Sequence, residues 1–300
     1  MLSVLIPVYN WDVRALVSDL LAQARGLGIP FEIRLLDDAS EEKWRAQNRI
    51  IAQWEGVYYA ELPENTGRSA IRNRLGRMAR YPWLLFIDCD SGMARTDYLQ
   101  TYLSQMAPGW VLCGGTQYAD SPPRDPVLLL RWRYGRAREQ RSAARRSRNP
   151  WAHFATHHFV VPRDIFLQYP FDERLRGYGH EDTLFGRILE QQGISIRHLD
   201  NPLLHLGLEP APIFLEKTRQ SVCNLIYLAQ QGVQPRTRLG DIAFYIQRSG
   251  LAPLFSNLYR LFKPTLQKIL SGNNPSLWAL DCFKLGEYFT FANTQSPLQI

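Results

Sequence analysis

The stretch Trp83-Leu84-Leu85-Phe86-Ile87 is continuously apolar and ends abruptly in Asp88-Cys89-Asp90. A short apolar run of this kind predicts a strand that is buried on both faces of a sheet. Two unpaired acids directly after such a strand would repel each other, so a positive group is expected beside them. The end of this strand is therefore the first candidate for a functional site.

The same pattern of apolar strands and amphipathic helices extends on both sides of this stretch. Strands are predicted at residues 3–8, 31–36, 57–62 and 83–87, and again at 111–115, 159–162, 194–199 and 203–206. From about Ile213 the pattern is helical to the end. Because strands that alternate with helices form parallel sheets, we expect the ligand crevice at the carboxyl ends of the strands. Four of these ends carry polar groups, namely Tyr9-Asn10, Asp37-Asp38, Pro63-Glu64-Asn65 and Asp88-x-Asp90.

The Asp88-x-Asp90 pair is a candidate metal site. Two carboxylates at i and i+2 can share one hard cation, and Mg²⁺ is commonly held by one or two carboxylates together with substrate phosphates. The alternative is a turn or a helix cap, because aspartate favours both. The position of the pair after a buried strand, on the polar edge of the sheet, favours the metal.

Three further clusters each have a functional and a structural interpretation. Asp37-Asp38-Ala39-Ser40 suits hydrogen bonding to a nucleobase or ribose, or a helix N-cap. The run 65–73 places Gly67 and two arginines at a helix start, which suits a phosphate or a capped helix with solvated arginines. The run 177–182, Gly-Tyr-Gly-His-Glu-Asp, ends in two acids at a helix start, where one could take a proton from a hydroxyl or both could interact with the helix dipole.

The histidines are harder to assign from the sequence. His205 lies in an otherwise apolar strand. A lone histidine on an apolar face is usually a satisfied core group, but beside an Asp-x-Asp pair it could be a third metal ligand through a neutral imidazole. His157 and His158 could face an acceptor.

The composition excludes several classes of protein. The chain has 300 residues, 45% of them hydrophobic, which is typical of a globular protein rather than a disordered or repetitive one. It shows neither a run of about 18 apolar residues nor a signal peptide, so a cytosolic protein is expected. The four cysteines are far apart, which predicts reduced, buried side chains rather than a zinc site or a disulfide framework.

The net charge of +7 is concentrated in one segment. From Arg131 to Arg148 there are eight arginines and one acid, Glu139, so the rest of the chain is formally neutral. This local basicity argues against a nucleic-acid-binding protein and for a single segment that faces an anion. Three interpretations stay open for it: a mobile loop over a diphosphate, a patch for anionic lipid or an anionic acceptor, and a solvated helix face.

Taken in order along the chain, five motifs resemble those of family 2 glycosyltransferases with the GT-A fold. They are Val4-Leu5-Ile6-Pro7-Val8-Tyr9-Asn10, Asp37-Asp38-Ala39-Ser40, Asn65-x-Gly67-Arg68 with Arg72-Asn73, Asp88-x-Asp90 and Gly179-His180-Glu181-Asp182, spread over roughly residues 1–210. The resemblance implies an α/β fold with a Rossmann-like, mixed but mostly parallel sheet flanked by helices, and a helical C-terminal extension. It also implies a nucleotide-sugar-binding half at 1–115, an acceptor-binding half at 116–212 and the extension at 213–300.

The resemblance further implies roles for individual residues. Contacts to the donor would come from Pro7, Tyr9, Asp38, Asn65, Gly67, Arg68 and Asp88. A divalent cation, Mn²⁺ or Mg²⁺, would be held by Asp88, Asp90 and His205. Asp182, beside Glu181, would be the catalytic base. Cys89 between the two aspartates is a residue that the family tolerates there.

The function implied by the resemblance is that of an inverting glycosyltransferase. It would move a sugar from a nucleotide diphosphate sugar, in the first place a UDP-sugar, to a hydroxyl of a glycan or lipid-linked acceptor in bacterial surface polysaccharide synthesis. The expected location is the cytoplasm, with peripheral contact to an anionic membrane surface and no nucleic-acid partner. The alternative is a non-catalytic nucleotide-sugar-binding or scaffold protein of the same fold, against which the intact Asp-x-Asp and Glu-Asp pairs weigh.

Overall fold

The computed structural model describes residues 1–175, 177–233 and 237–293, so residues 234–236 and 294–300 of the predicted extension lie outside the described residues. The strands are β1 (Leu2–Val8), β2 (Phe31–Asp37), β3 (Val57–Glu61), β4 (Trp83–Ile87), β5 (Ser91–Gly92), β6 (Trp110–Cys113), β7 (Thr116–Gln117), β8 (His158–Pro162), β9 (Ser195–His198) and β10 (Leu203–His205). The α-helices are α1 (Arg14–Gly26), α2 (Glu42–Asn48), α3 (Arg68–Met78), α4 (Tyr98–Gln105), α5 (Leu129–Tyr134), α6 (Ala143–Arg146), α7 (Arg163–Gln168), α8 (Glu181–Gln191), α9 (Ala211–Gln230), α10 (Arg238–Arg248), α11 (Ala252–Leu270) and α12 (Leu277–Asn293).

Seven strands form the main sheet, in the order β3-β2-β1-β4-β8-β6-β9. Strands β1 to β4 pair in parallel, as the alternation of strands and helices predicts, and so do β6 and β9. Strand β8 runs antiparallel to both of its neighbours, β4 and β6. The predicted α/β fold with a mixed, mostly parallel sheet flanked by helices is therefore confirmed.

A second, three-stranded sheet is not predicted from the sequence. Its order is β5-β10-β7, and its strands are two or three residues long. Strands as short as these show no periodic pattern. Strand β10 pairs with β5 so that His205 lies opposite Ser91. This pairing brings His205 next to the segment that begins with Asp90.

Apolar side chains cover both faces of the main sheet. Strand β4 contributes Leu85 and Ile87 to one apolar cluster and Leu84 and Phe86 to the other, which explains why its sequence is continuously apolar. Helix α1 packs in the first cluster through its predicted apolar face, made of Leu16, Val17, Leu20, Leu21 and Ala24. Helix α3 packs in the second cluster. This packing on both faces of the main sheet holds the ends of its strands in place.

The described residues form two compact units. The first, with residues 1–118, 139–174 and 181–207, contains both sheets. The second, with residues 119–138, 175–180 and the described residues from 208 onwards, contains α5 and α9 to α12, and α5, α9, α11 and α12 share an apolar core. The predicted division into a nucleotide-sugar-binding half at 1–115, an acceptor-binding half at 116–212 and a helical extension at 213–300 stays a prediction. None of the helices in the described ranges is long and apolar enough to cross a bilayer.

Several arginines of the basic segment 131–148 bind other parts of the chain. In the second unit, Arg133 donates to the side chain of Asn274 at 2.5 Å and Arg138 to that of Asp281 at 2.8 Å. The three interpretations of this segment stay predictions.

In the first unit, Arg146 is buried and cross-links the backbone. Its guanidinium donates at 2.7–3.1 Å to four carbonyl oxygens, those of Cys113, Gly114, Arg141 and Leu199. Burial lowers the pKa of Arg146 from its usual value. The four bonds join the segments that follow β6 and β9 to the basic segment, so the role of Arg146 is structural.

Replacing Arg146 with Met is expected to lower the free energy of unfolding by about 3 kcal/mol, because four carbonyl oxygens would each lose a hydrogen bond from a buried guanidinium. Urea unfolding measures this change. The matched control is Arg148→Met at an exposed arginine two residues away, for which we expect a change within about 0.5 kcal/mol. Equal stabilities of the two variants would contradict the structural role of Arg146.

Candidate active site

The loop before α3 is organised by Asp38, which follows β2. The buried Asp38 carboxylate accepts hydrogen bonds from the backbone N–H and the hydroxyl of Thr66, at 2.7 and 2.8 Å, and from the Gly67 N–H at 3.0 Å. The side-chain amide of Asn65 donates to the Asp38 carbonyl oxygen at 3.1 Å. Gly67 has a φ of 87°, a left-handed conformation that favours glycine. The structure therefore joins Asp38, Asn65 and Gly67 in one ordered loop.

The end of β1 borders this loop. The Asp38 N–H donates to the carbonyl oxygen of Val8 at 2.8 Å. Pro7 is half-buried in β1, and Tyr9, the first residue after the strand, is exposed. The carboxylate of its neighbour Asp37 accepts the Ser40 N–H at 2.7 Å in the turn after β2. The N-cap of α2 is Glu41, without a side-chain hydrogen bond, so the cluster 37–40 does not supply the predicted helix cap.

Alternating charges connect the end of β4 with the start of α8. The buried guanidinium of Arg72 donates to one carboxylate oxygen of Asp88, and Arg68 Nη2 lies 3.9 Å from the other. Arg68 Nε also donates to Glu181 at 2.5 Å. The two arginines lie one turn apart on α3, where residues four positions apart share a face. The structure thus brings Arg68, Asp88 and Glu181 together, and it adds Arg72, the second of the two arginines that the sequence predicts at this helix start.

The two adjacent acids at the start of α8 have different surroundings. Burial alone raises the pKa of Glu181, but the positive charges of Arg68 and Arg72 lower it overall. Burial and the charge of Glu181 raise the pKa of Asp182 to about 6, against the effect of the hydrogen bond that its carboxylate accepts from the Thr183 N–H at 2.6 Å. A carboxyl with a pKa near the working pH is suited to general acid–base chemistry. Of the two acids, Asp182 is therefore the better candidate for a base.

Asp90 and His205 form a separate pair. Asp90 Oδ2 lies 3.5 Å from His205 Nε2, so one carboxylate oxygen and one imidazole nitrogen face each other. Gly207 leaves room for this carboxylate, because a Cβ at that position would lie 2.0 Å from Asp90 Oδ2. The Leu206 N–H donates to the Asp90 carbonyl oxygen at 2.8 Å, which holds the end of β10 beside Asp90. Two of the three predicted metal ligands are thus brought together.

The third predicted ligand, Asp88, faces the arginines of α3 instead. Within the described ranges, no three His, Cys, Asp or Glu side chains are grouped so that they could hold a metal ion by themselves. A cation between Asp90 and His205 would therefore take its remaining ligands from substrate or water, which is usual for Mg²⁺.

Two aromatic side chains, those of Tyr118 and His157, lie beside His205. The rings of Tyr118 and His205 are stacked, with centroids 5.3 Å apart and an angle of 24° between the planes. The His157 ring lies 5.5 Å away by the same measure, and its nitrogens are 3.0 Å from Ser91 Oγ and 2.9 Å from Thr116 Oγ1. These residues come from distant parts of the sequence, and no local pattern connects them.

The expectation that His158 could face an acceptor is wrong. Its side chain is buried, with Nδ1 3.0 and 2.8 Å from the hydroxyls of Tyr98 and Tyr102 and Nε2 2.5 Å from the Gly115 carbonyl oxygen. Burial lowers the pKa of His158 well below its usual value. Both ring nitrogens are used inside the protein, so His158 is a neutral core residue.

The chain matches the model of a known protein family. Residues 3–169 match the family model described as Glycosyl transferase family 2, which is more than half of the chain. The matched region contains Asp38, the start of α3 and the Asp88-x-Asp90 pair. No curated protein matches the chain in a sequence comparison.

Two solved structures are similar to this chain in fold. The mannosyltransferase PcManGT from Pyrobaculum calidifontis, in complex with GDP-Man and Mn²⁺, has a TM-score of 0.56 and 13% identity, over 98% of this chain and 87% of that chain. The glucosyl-3-phosphoglycerate synthase from Mycobacterium tuberculosis, in complex with Mn²⁺, UDP and glucosyl-3-phosphoglycerate, has a TM-score of 0.53 and 18% identity, over 78% of this chain and 80% of that chain. At such identities the likeness establishes the fold alone.

Proposed function

The chain belongs to glycosyl transferase family 2, and we propose that it is an inverting transferase that moves a sugar from a nucleotide diphosphate sugar to a hydroxyl group. The proposed donor is a UDP-sugar and the proposed acceptor a glycan or lipid-linked molecule in bacterial surface polysaccharide synthesis. The proposed location is the cytoplasm, with peripheral contact to an anionic membrane surface.

The observation that carries this proposal is the arrangement of two groups of residues in the first unit, at the edge where β1, β2 and β4 end. The first group consists of Asp38, Gly67, Arg68, Asp88, Glu181 and Asp182, and the second is the pair of Asp90 and His205. Together, these residues provide hydrogen-bond acceptors, guanidinium groups, a carboxylate–imidazole pair and a carboxyl with a raised pKa. A sugar-nucleotide transferase needs one group of each kind.

Asp38 is proposed to bind the base of the donor. A carboxylate has about four acceptor positions, and three are taken by donors of Thr66 and Gly67 among the described residues. The remaining position suits the single imide N–H of uracil. Pro7 and Tyr9, at the adjacent end of β1, are proposed to line the same pocket.

The diphosphate of the donor is proposed to lie at the start of α3. The N-terminus of a helix favours anions, and Arg68, the first residue of α3, offers its guanidinium there. Its ion pairs with Glu181 and Asp88 hold the side chain at this edge of the sheet. Asn65 and Gly67 shape the loop that leads into the helix.

Asp90 and His205 are proposed to hold a divalent cation, Mn²⁺ or Mg²⁺. Their donor atoms fit such an ion, and Gly207 keeps open the space that the carboxylate of Asp90 occupies. The ion, when bound, would stabilise the negative charge that grows on the leaving diphosphate. We expect Asp88 to contribute less to metal binding than Asp90, because Arg72 already holds its carboxylate.

Asp182 is proposed to accept the proton of the attacking hydroxyl. The hydroxyl oxygen would form a bond to the anomeric carbon from the face opposite the diphosphate, and the bond to the diphosphate oxygen would break, so the configuration inverts. The diphosphate leaves as an anion and needs no general acid, so one carboxylate is sufficient. Glu181 is proposed to position Arg68 and to keep the pKa of Asp182 high.

A donor screen tests the proposal. Melting temperatures are measured with UDP-, GDP- and dTDP-sugars, each with and without Mn²⁺. A UDP-sugar is expected to raise the melting temperature in a metal-dependent way, since a ligand at about 100 times its Kd stabilises the native state by about 2.7 kcal/mol. If no sugar nucleotide raises the melting temperature with or without metal, the proposed function is wrong.

A further inference from the structure

The second unit carries an exposed apolar surface on α10 and α11, called here the α10–α11 face. Nine large apolar side chains between residues 242 and 269 are 39–71% exposed, half of the eighteen such side chains in the described chain. The most exposed of them are Tyr245, Leu254 and Leu261. Large apolar side chains that are grouped on the outside of a protein mark an interaction site.

On α11 this face is separate from the side that packs in the core. At 3.6 residues per turn, the exposed residues Leu254, Leu258, Leu261, Phe262 and Ile269 fall within an arc of about 100°. The buried residues Ser256, Tyr259 and Leu270 lie on the opposite side of the helix. Helix α11 therefore has two apolar faces, and the second unit uses one of them for its core.

Basic side chains border the face. Residues 238–270 contain Arg238, Arg248, Arg260, Lys263 and Lys268 against one acid, Asp241, so their formal net charge is +4. Lys263 pairs with Glu287 of α12 at 2.6 Å and belongs to the packed side. On the helical wheel, Arg260 and Lys268 fall between the packed side and the exposed apolar face.

An anionic lipid surface matches both properties. A helix with Leu and Phe on one side and Lys or Arg at its border lies in the plane of the headgroups, with its apolar side chains in the acyl boundary. A second copy of the chain fits less well. A two-fold interface would place this face against itself and bring the same positive charges of both copies together.

We propose that the α10–α11 face docks the protein flat on an anionic phospholipid bilayer. The docking is independent of the transferase chemistry. Its consequence, that the enzyme meets a lipid-linked acceptor at the membrane surface, rests on the proposed function. Vesicle binding is therefore measured without donor or metal, so that a failure of docking and a failure of the proposed function are distinguishable.

The test is co-sedimentation of the full chain with vesicles of phosphatidylcholine containing about 30% phosphatidylglycerol. Wild-type protein is expected to sediment with these vesicles and to stay in solution with pure phosphatidylcholine. The double variant Leu258→Glu/Leu261→Glu is expected to bind at least about tenfold more weakly, since two apolar side chains no longer enter the bilayer. The matched control is Ile213→Glu, an exposed apolar residue of α9 in the same unit, which should bind like wild type.

A second variant tests the charges. The triple variant Arg248→Gln/Arg260→Gln/Lys268→Gln is expected to bind about 100-fold more weakly, and wild-type binding should weaken as salt is added. Phe262→Trp supplies a spectroscopic readout, since brominated lipids should quench its fluorescence more than that of wild type. The proposal is overturned if the glutamate variant sediments like wild type, or if phosphatidylglycerol does not increase the vesicle binding of wild type. It is also overturned if the face instead supports a dimer in sedimentation velocity that the glutamate variant abolishes.

Discussion

Replacing Asp182 with Asn is expected to lower kcat about 1000-fold while the Kd of the nucleotide-sugar stays nearly unchanged. The amide keeps the shape of the side chain and can still accept the Thr183 N–H, but it cannot take up the proton of the acceptor hydroxyl. Positioned general bases contribute about 10²–10⁴-fold to a rate. The rate of sugar transfer and calorimetric donor binding are the two measurements.

The control for this variant is Glu190→Gln on the same helix. Glu190 is partly exposed and pairs with Arg187, so its loss should leave kcat and donor binding close to wild type. Near-normal turnover of Asp182→Asn would exclude Asp182 as the base. A parallel loss of donor binding would instead point to a role in shaping the site.

The pH dependence follows from the same assignment. Burial and the charge of Glu181 raise the pKa of Asp182 to about 6, and a base acts in its deprotonated form. We therefore expect kcat to be constant above neutral pH and to fall about tenfold per unit below the pKa. If Asp182 acted as a general acid, kcat would instead fall as the pH rises. Rates are taken at saturating metal so that metal binding does not limit them, and the residual rate of Asp182→Asn should lack the acid limb.

The sequence predicts the strands of the main sheet and the parallel pairing of β1 to β4, but not the direction of β8. Strand β4 spans the predicted residues 83–87, because a run that is buried on both faces has clear ends. Strand β8 is equally apolar, and its antiparallel direction between β4 and β6 could not be predicted, since an apolar run has the same pattern in either direction. Strands β5 and β7 have two residues each and form through their partners alone.

The residues of the candidate site likewise include some that the sequence predicts and some that it does not. Asp38, Asn65 and Gly67 could be selected because each follows a strand or precedes a helix, where local chemistry is informative. The partner of Arg68, in contrast, is Glu181, 113 positions later in the chain. The orientation of Asp88 was also not predictable, because Arg72 and a cation are alternative partners for the same carboxylate and only the packing of α3 decides between them.

Replacing Asp90 with Ala is expected to abolish the metal-dependent rise in melting temperature with UDP and to lower kcat at least about 1000-fold. Asp90 supplies the carboxylate of the proposed metal pair, and charge stabilisation by a metal is worth several kcal/mol in the transition state. Differential scanning fluorimetry with UDP, with and without Mn²⁺, measures binding independently of activity. The matched control is Asp97→Ala, an exposed aspartate that pairs with Arg95, which should keep the full metal response.

The variants His205→Gln and Gly207→Ala complete this test. His205→Gln removes the imidazole nitrogen that faces Asp90, and Gly207→Ala places a methyl group where the Asp90 carboxylate lies, so both should weaken the metal response. Asp88→Ala distinguishes the two aspartates. It is expected to destabilise the protein, because it leaves the buried Arg72 without its carboxylate. Measured from its own metal-free melting temperature, it should nevertheless retain more of the metal-dependent shift than Asp90→Ala does. If Asp88→Ala lost the shift and Asp90→Ala kept it, the proposed ion would lie beside α3 rather than beside β10, and Arg72 would have to release Asp88 when metal binds.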